Sequence, residues 1–307
     1  MSTVKAVVAA SVVPRAAVAS DAFGFWGTAA RRLRAQRRAF VALTTLGIIV
    51  LACLLLPWLS PYDYFTPHLS MLSRPPMLSG GHLLGTDPLG RDLLIRVMWG
   101  CRISLGIGLA ASLVSVLIGV SWGAGAGYAG GLTDAVMMRI VDILYSVPFV
   151  PFVIVLTVLF GRELWLIFVA IGAVSWLDIA RIVRGQTLSL KQREFVEAAR
   201  VAGVRGWGMI RRHIVPNLIG IVVVYATLTI PTVILFEAFL SFLGLGVHSP
   251  LASLGSMVAD GASEMQSHPH LLIVPAAFLS VIVYCFNYLG DGLRDALDPH
   301  GAERGRS

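Results

Sequence analysis

Residues 189–216 read SLKQREFVEAARVAGVRGWGMIRRHIVP, a strongly basic, hydrophilic island set between two apolar runs. Around it the composition is that of a chain living in lipid. Mean hydropathy is +0.79, with 56% apolar and 13% charged residues over 307 positions, outside the range of soluble domains. Six stretches, residues 40–59, 104–125, 136–161, 164–182, 218–244 and 271–289, are apolar and long enough to cross a hydrocarbon core of about 30 Å. The expected fold class is therefore an all-α membrane protein with six transmembrane helices, and the island lies between the fourth and fifth.

The 24 Lys and Arg set the orientation, because basic residues close to span ends stay in the cytoplasm. Arg31, Arg32, Arg34, Arg37 and Arg38 precede the first span, while Arg181, Arg184, Lys191, Arg193, Arg200, Arg205, Arg211 and Arg212 mark the island. Placing both on one side, with Arg294, Arg304 and Arg306, puts the N- and C-termini in the cytoplasm. The net charge of +7 is then a positive-inside signature, helped by anionic lipid, and needs no nucleic acid. Residues 6–13 are too interrupted by Pro14 and Arg15 to act as a cleaved signal, so the first thirty or so residues read as a flexible tail. Cys53, Cys101 and Cys285 are scattered without metal-ligand spacing and read as apolar fillers.

The loop after the first span is loose from Pro67 to Gly81 and then organises at His82-Leu-Leu-Gly85-Thr86-Asp87-Pro88-Leu-Gly90-Arg91-Asp92. Asp87 as cap, Pro88 in the first turn and an Asp92/Arg96 pair at i and i+4 predict a short amphipathic helix on the outer face. In the second span Ala111, Ser115, Gly119, Gly123, Gly127 and Gly131 recur every four residues, the small-residue stripe that lets a second helix approach. Gly125 to Gly130 also matches GxGxxG, but no strand precedes it, so it is no dinucleotide site. Pro148 and Pro151 predict kinks in the third span, and Pro231 and Pro275 interrupt the fifth and sixth.

Within the island, Ser189 and Gln192 make a capping-box pattern, so a helix is expected from Leu190 to Ala202, stopped at Gly203. Phe195, Ala198, Ala199 and Ala202 would share its face. Trp207, Ile210 and Ile214 repeat at helical spacing before Pro216. Two short helices joined at a glycine form a compact knob able to enter a groove on another protein.

Glu197-Ala198-Ala199, with Gly203 four positions on and Pro216 at the end, resembles the EAA loop of membrane permease subunits of ATP-binding-cassette importers. His82–Asp92, Gly127–Asp142, Glu237–Gly246 and Gly290–Pro299 resemble further motifs of the dipeptide, oligopeptide and nickel branch of that family, most like its "C" permeases, over about residues 30–300. The resemblance implies a type I importer permease fold divided into a basic tail (1–38), a first transmembrane helix (39–59), a periplasmic loop with an amphipathic helix (60–101), a five-helix core (102–290) containing a coupling helix-turn-helix (183–216), and a C-terminal tail (291–307). It implies that Glu197, Ala198, Ala199, Arg200, Gly203, Trp207 and Pro216 couple to the ATPase, and that Gly85, Thr86, Asp87, Gly90, Arg91 and Asp92 form an external family motif.

The implied partners are a second permease, two ATPases that bind ATP and magnesium, and a periplasmic or lipid-anchored solute-binding protein. This chain would hold no cofactor or metal and catalyse no reaction. Neither Lys5 nor Lys191 ends a GxxxxGK phosphate loop, consistent with nucleotide chemistry on another polypeptide. Asp142 and Glu237 are intramembrane acids that either line the pathway or hydrogen-bond between helices. A competing reading is an ion-coupled secondary transporter using those acids. The cargo is expected to be a di- or oligopeptide, with nickel chelates, glutathione and peptide antibiotics as alternatives.

Overall fold

The computed structural model describes residues 16–77, 81–161, 164–247 and 251–297, and among them regular structure is helical. In chain order the helices are α1 (Ala16–Ala35), α2 (Arg37–Leu59), α3 (Leu93–Ala129), α4 (Gly131–Ser146), α5 (Phe149–Phe160), α6 (Leu164–Leu190), α7 (Glu194–Val201), α8 (Trp207–Phe242), α9 (Leu254–Ser263) and α10 (His270–Leu297). Four of these, α2, α3, α8 and α10, are each long and apolar enough to cross a membrane, and α4 with α5 supplies a fifth if the bent pair counts as one span. Much of their apolar surface faces outward, as expected in lipid: Ile48 is 68% exposed, Trp58 83% and Val158 78%.

The break between α4 and α5 has a local cause. Val147 precedes Pro148 and is driven out of the helical region to φ −74°, ψ 121°, so α4 ends at Ser146. The two helices diverge by 80°, a sharper change than the expected kink.

α3 packs most extensively on α6, and the small-residue stripe explains why. A Cβ on Gly119 would lie 2.7 Å from the Ile179 side chain, and one on Gly127 would lie 2.8 Å from Thr187 Cβ. A Cβ on Gly123 would meet the Ala180 carbonyl. Ala111 and Ser115 are buried on the same line, while Gly131 has passed into α4 and faces open space. Removing side chains at this spacing brings the backbones together and lets dispersion hold the pair where lipid gives no hydrophobic preference.

Three expectations are corrected. Residues 93–98 do not form a separate amphipathic helix: they are the first turns of the 37-residue α3, capped by Asp92 and not by Asp87. Ser189 lies inside α6, which runs on to Leu190, so the island's own helix begins only at Glu194, with Arg193 as N-cap. The stretch read as flexible tail is helical from Ala16, and Ala29 of α1 is buried against Val224 of α8 and Leu297 of α10.

α2, α3, α8, α9 and α10 share a core that includes Leu46, Val97, Ile234, Leu254 and Ile282. Pro57 lies inside α2 and cannot donate to the carbonyl of Cys53. Arg102 of α3 replaces that donor: its Nε bonds the Cys53 carbonyl and its other arm reaches the Leu54 carbonyl at 2.8 Å. The same guanidinium lies 4.6 Å from the centre of the Trp99 ring.

Candidate functional site

The basic island forms a hairpin at one end of the bundle. After α6, residues 191–193 turn the chain into the 8-residue α7. Gly203 then takes φ +90°, its N–H bonding the Arg200 carbonyl at 3.0 Å while Val204 N–H reaches the Ala199 carbonyl at 3.0 Å. A Cβ there would meet nothing within 4 Å, so backbone conformation, not crowding, makes glycine the residue for this stop. α8 follows with one π-type stretch over Ile210–Ile214, and Pro216 lies in the turn that resumes α-geometry, where it does not stop the helix.

The hairpin has a fixed inner side. Val196, Ala199, Met209, Ile210, Ile214 and Leu218 are buried with Ala124 of α3 and with Ile179 and Val183 of α6. Ala199 therefore points inward with Val196, away from Phe195, Ala198 and Ala202, which are exposed. Two polar ties hold its base. Lys191 Nζ donates to the Tyr128 carbonyl at 2.7 Å, and Arg184 reaches Asp134 of α4 through two bonds of 2.6 and 2.7 Å. Neither tie was apparent from the sequence, because α3, α4 and α6 are distant in the chain.

The outer side of the hairpin is open. Phe195, Glu197, Ala198, Arg200, Val201, Ala202, Gly203 and Trp207 are all exposed, Val201 at 90% and Trp207 at 63%. Small residues, the apolar side chains of Phe195, Val201 and Trp207, and the charges of Glu197 and Arg200 thus share a surface backed by a packed core. Such a face can accept a partner without rearranging the core beneath it.

At the other end of α3, the His82–Asp92 segment folds into a buried polar knot. Asp87 accepts from the backbone N–H groups of Leu89 (2.9 Å) and Arg91 (2.8 Å), from Arg91 Nε (2.7 Å) and from the Arg96 guanidinium. Asp92 caps α3 by accepting from Ile95 N–H at 2.9 Å, and its other oxygen lies 2.8 Å from His82 Nδ1. The expected Asp92–Arg96 pair is thus replaced by Asp87–Arg96. Thr86 Oγ1 donates to the Met71 carbonyl at 2.5 Å and accepts from Arg74 N–H at 2.8 Å. Gly85 and Gly90 carry positive φ and pass so close to Arg74 and His68 that a side chain at either would strike backbone. The knot is packed away from solvent, with Asp87 2% exposed.

Asp142 and Glu237 occupy different settings. Asp142 sits at the surface of α4, 2.9 Å from the Arg181 guanidinium. Glu237 is fully buried in α8 and accepts from Ser241 (2.7 Å), Ser253 (2.5 Å) and Ser104 (3.3 Å), three hydroxyls on α8, the α9 N-cap and α3. Ser104 in turn accepts from Leu254 N–H at 3.0 Å. The three serines were not singled out from the sequence, where nothing distinguishes them from other serines in apolar runs.

The fold and its hairpin define a helical membrane protein with a polar helix-turn-helix inserted between apolar helices α6 and α8. Residues 115–301 match the model of the binding-protein-dependent transport system inner membrane component family, and residues 24–76 match the N-terminal TM domain of oligopeptide transport permease C. The chain is 55% identical to the oligopeptide transport system permease protein OppC of Escherichia coli (strain K12), over 89% of this chain and 91% of that one. It is 52% identical to OppC of Haemophilus influenzae, over 89% and 88% of the two chains, and 45% identical to OppC of Bacillus subtilis (strain 168), over 93% and 95%. Among solved structures, a chain of the MetNI methionine ABC transporter aligns with 97% of its length and 65% of this chain, at a TM-score of 0.49 and 21% identity. This chain belongs to the binding-protein-dependent inner membrane components, the permease subunits of ABC importers.

Proposed function

We propose that this permease carries di- or oligopeptides, pairing with a second, related permease and driven by two separate ATPases that bind ATP and magnesium. A periplasmic or lipid-anchored solute-binding protein delivers the cargo. The proposed topology has six spans in a type I importer arrangement, with α4–α5 counted as one and α6 added to α2, α3, α8 and α10. Both termini and the α7 hairpin then lie in the cytoplasm. The peptide assignment is supported by the similarity to oligopeptide and dipeptide transport system permeases.

The observation that carries the coupling role is the exposure of Phe195, Ala198, Val201, Ala202 and Trp207 over a hairpin whose inner side is locked to α3 and α6. ATP-driven closure of the ATPases would press on this face and move α6 and α8 together, and hydrolysis would reset them. Asp142 and Glu237 fit the role of structural ties better than that of pathway residues, given their bonded partners.

Gly203→Asp in a complex reconstituted with its partner subunits is expected to reduce peptide-stimulated ATPase activity to the unstimulated rate while membrane insertion is retained. Full stimulation in that variant would overturn the coupling assignment. The peptide assignment is checked by uptake of labelled di- and oligopeptides in proteoliposomes supplied with the binding protein, and fails if neither is accumulated.

A further inference from the structure

Several arginines of this chain are tied up within it, and others are exposed without an ion pair among the described residues. Arg91, Arg96, Arg181 and Arg184 are spent on carboxylates, and Arg102 on backbone carbonyls. Arg31, Arg34, Arg37 and Arg38 are exposed and make no ion pair among the described residues. They cluster where α1 meets α2. Gln36 breaks the helix there with extended geometry, φ −82°, ψ 101°, so the chain turns at the foot of the first span.

That elbow is held firmly. Gly292 of α10 lies so close that a Cβ would strike Ala39 Cβ and come within 3.0 Å of Gln36 Oε1 and 3.1 Å of Leu33 Cδ1. The C-terminal Gly290–Pro299 motif therefore has a structural use through Gly292, as the seat of the elbow. On the same helix, one to two turns before Gly292, Tyr284 and Tyr288 pair at 4.3 Å between ring centres, with Tyr284 61% exposed. The first turn of α2 adds exposed apolar side chains, Phe40 (44%) and Val41 (60%).

We propose that the α1–α2 elbow, through Arg31, Arg34, Arg37 and Arg38 with Tyr284, is a binding site for anionic phospholipid headgroups. Unpaired guanidiniums supply forked donors for phosphate, an exposed tyrosine suits the boundary between headgroups and acyl chains, and close packing on Gly292 seats the elbow that carries the arginines. Asp291 and Asp295, exposed on the last turns of α10, are the nearest acids in sequence to Tyr284 and Tyr288 and make no ion pair with the four arginines. An acidic protein surface is the other chemistry such a patch could meet. Lipid is favoured because the patch stands at the foot of a span whose apolar window is only 28% buried inside the protein. The inference needs this end of α2 to lie in a headgroup layer, and does not depend on what the importer carries.

The test compares phospholipid retained by the full-length chain after detergent extraction from membranes containing phosphatidylglycerol and phosphatidylethanolamine, measured by mass spectrometry. The native chain should enrich phosphatidylglycerol over the bulk ratio by about fivefold or more. R31Q/R34Q/R37Q/R38Q should abolish the enrichment, and R31K/R34K/R37K/R38K should keep most of it, with gel filtration confirming that each variant is folded. Tyr284→Phe should weaken it several-fold. No enrichment in the native chain, or equal enrichment in the glutamine variant, overturns the proposal. So does a glutamine variant that keeps its lipid but loses the ATPase subunits, which would make the patch a protein contact.

Discussion

Ser253 donates its hydroxyl to Glu237 at 2.5 Å, so the residue that starts α9 is tied to a carboxylate fully buried in α8. The same oxygen of Ser253 accepts from Ser256 N–H at 3.0 Å, closing the capping box of α9. One hydroxyl thus serves both a helix cap and a buried acid. Ser253→Ala removes both bonds and is expected to cost about 1–3 kcal/mol. Glu237→Leu should cost more than Glu237→Gln, because leucine leaves the hydroxyls of Ser104, Ser241 and Ser253 without their acceptor. Thermal unfolding of the purified chain in detergent gives the ranking, and equal midpoints for the leucine and glutamine variants would refute it.

Arg102 and Pro57 make a compensating pair. Arg102→Met leaves the carbonyls of Cys53 and Leu54 without their donor and should destabilise by about 1–3 kcal/mol. Pro57→Ala restores an N–H to α2 within reach of the Cys53 carbonyl, so the double variant should recover part of the loss. A double-mutant cycle on unfolding midpoints reads the coupling, and strict additivity would show that the arginine is not standing in for the missing N–H.

The stripe on α3 predicts a graded response. Gly119→Ala places a methyl 2.7 Å from Ile179, and Gly127→Ala places one 2.8 Å from Thr187, so each should cost about 1–3 kcal/mol, and valine at either site more. Gly106→Ala, where a Cβ meets nothing within 4 Å, serves as the control and should be neutral or slightly stabilising. Retained membrane insertion with a lowered unfolding midpoint is the expected pattern.

Asp87 neutralises two buried arginines at once. Asp87→Ala leaves Arg91 and Arg96 without their carboxylate and should destabilise the His82–Asp92 knot by about 3–5 kcal/mol. Limited proteolysis should then cut the variant within residues 82–92, where the native chain is expected to resist. Asp63→Asn, at an exposed site in the same loop, should leave the cleavage pattern unchanged.

The apolar runs and the break at Pro148 were legible because period, length and missing N–H groups are local properties, whereas Pro231 and Pro275, expected to interrupt their spans, lie inside helices that continue through them. The α3 stripe was legible for the same reason, since spacing along one helix fixes a face. What the sequence did not reveal were choices between partners: Asp92 had an i+4 arginine available, yet three-dimensional packing gave Arg96 to Asp87 and Asp92 to the cap and His82. The start of α7 was misplaced because Ser189 and Gln192 fit a capping box while α6 had enough helical propensity to run through them. In the candidate site, Gly203 and the exposed face of Phe195, Ala198 and Ala202 were readable from pattern. The inward turn of Ala199 and the ties through Lys191 and Arg184 depend on where α3 and α4 stand.

α3 runs unbroken through 37 residues, about 55 Å at 1.5 Å per residue, far more than a hydrocarbon core needs. Its first turn is held by the Asp92 cap in the His82–Asp92 knot, and the Tyr128 carbonyl near its last turn is held by Lys191 at the foot of the hairpin. A rod clamped at both poles is a lever: a tilt of about ten degrees around its midpoint carries each end roughly 5 Å in opposite directions. In the proposed topology, a push at the hairpin and the response at the knot would be a single rigid motion, with no relay of side chains required between them.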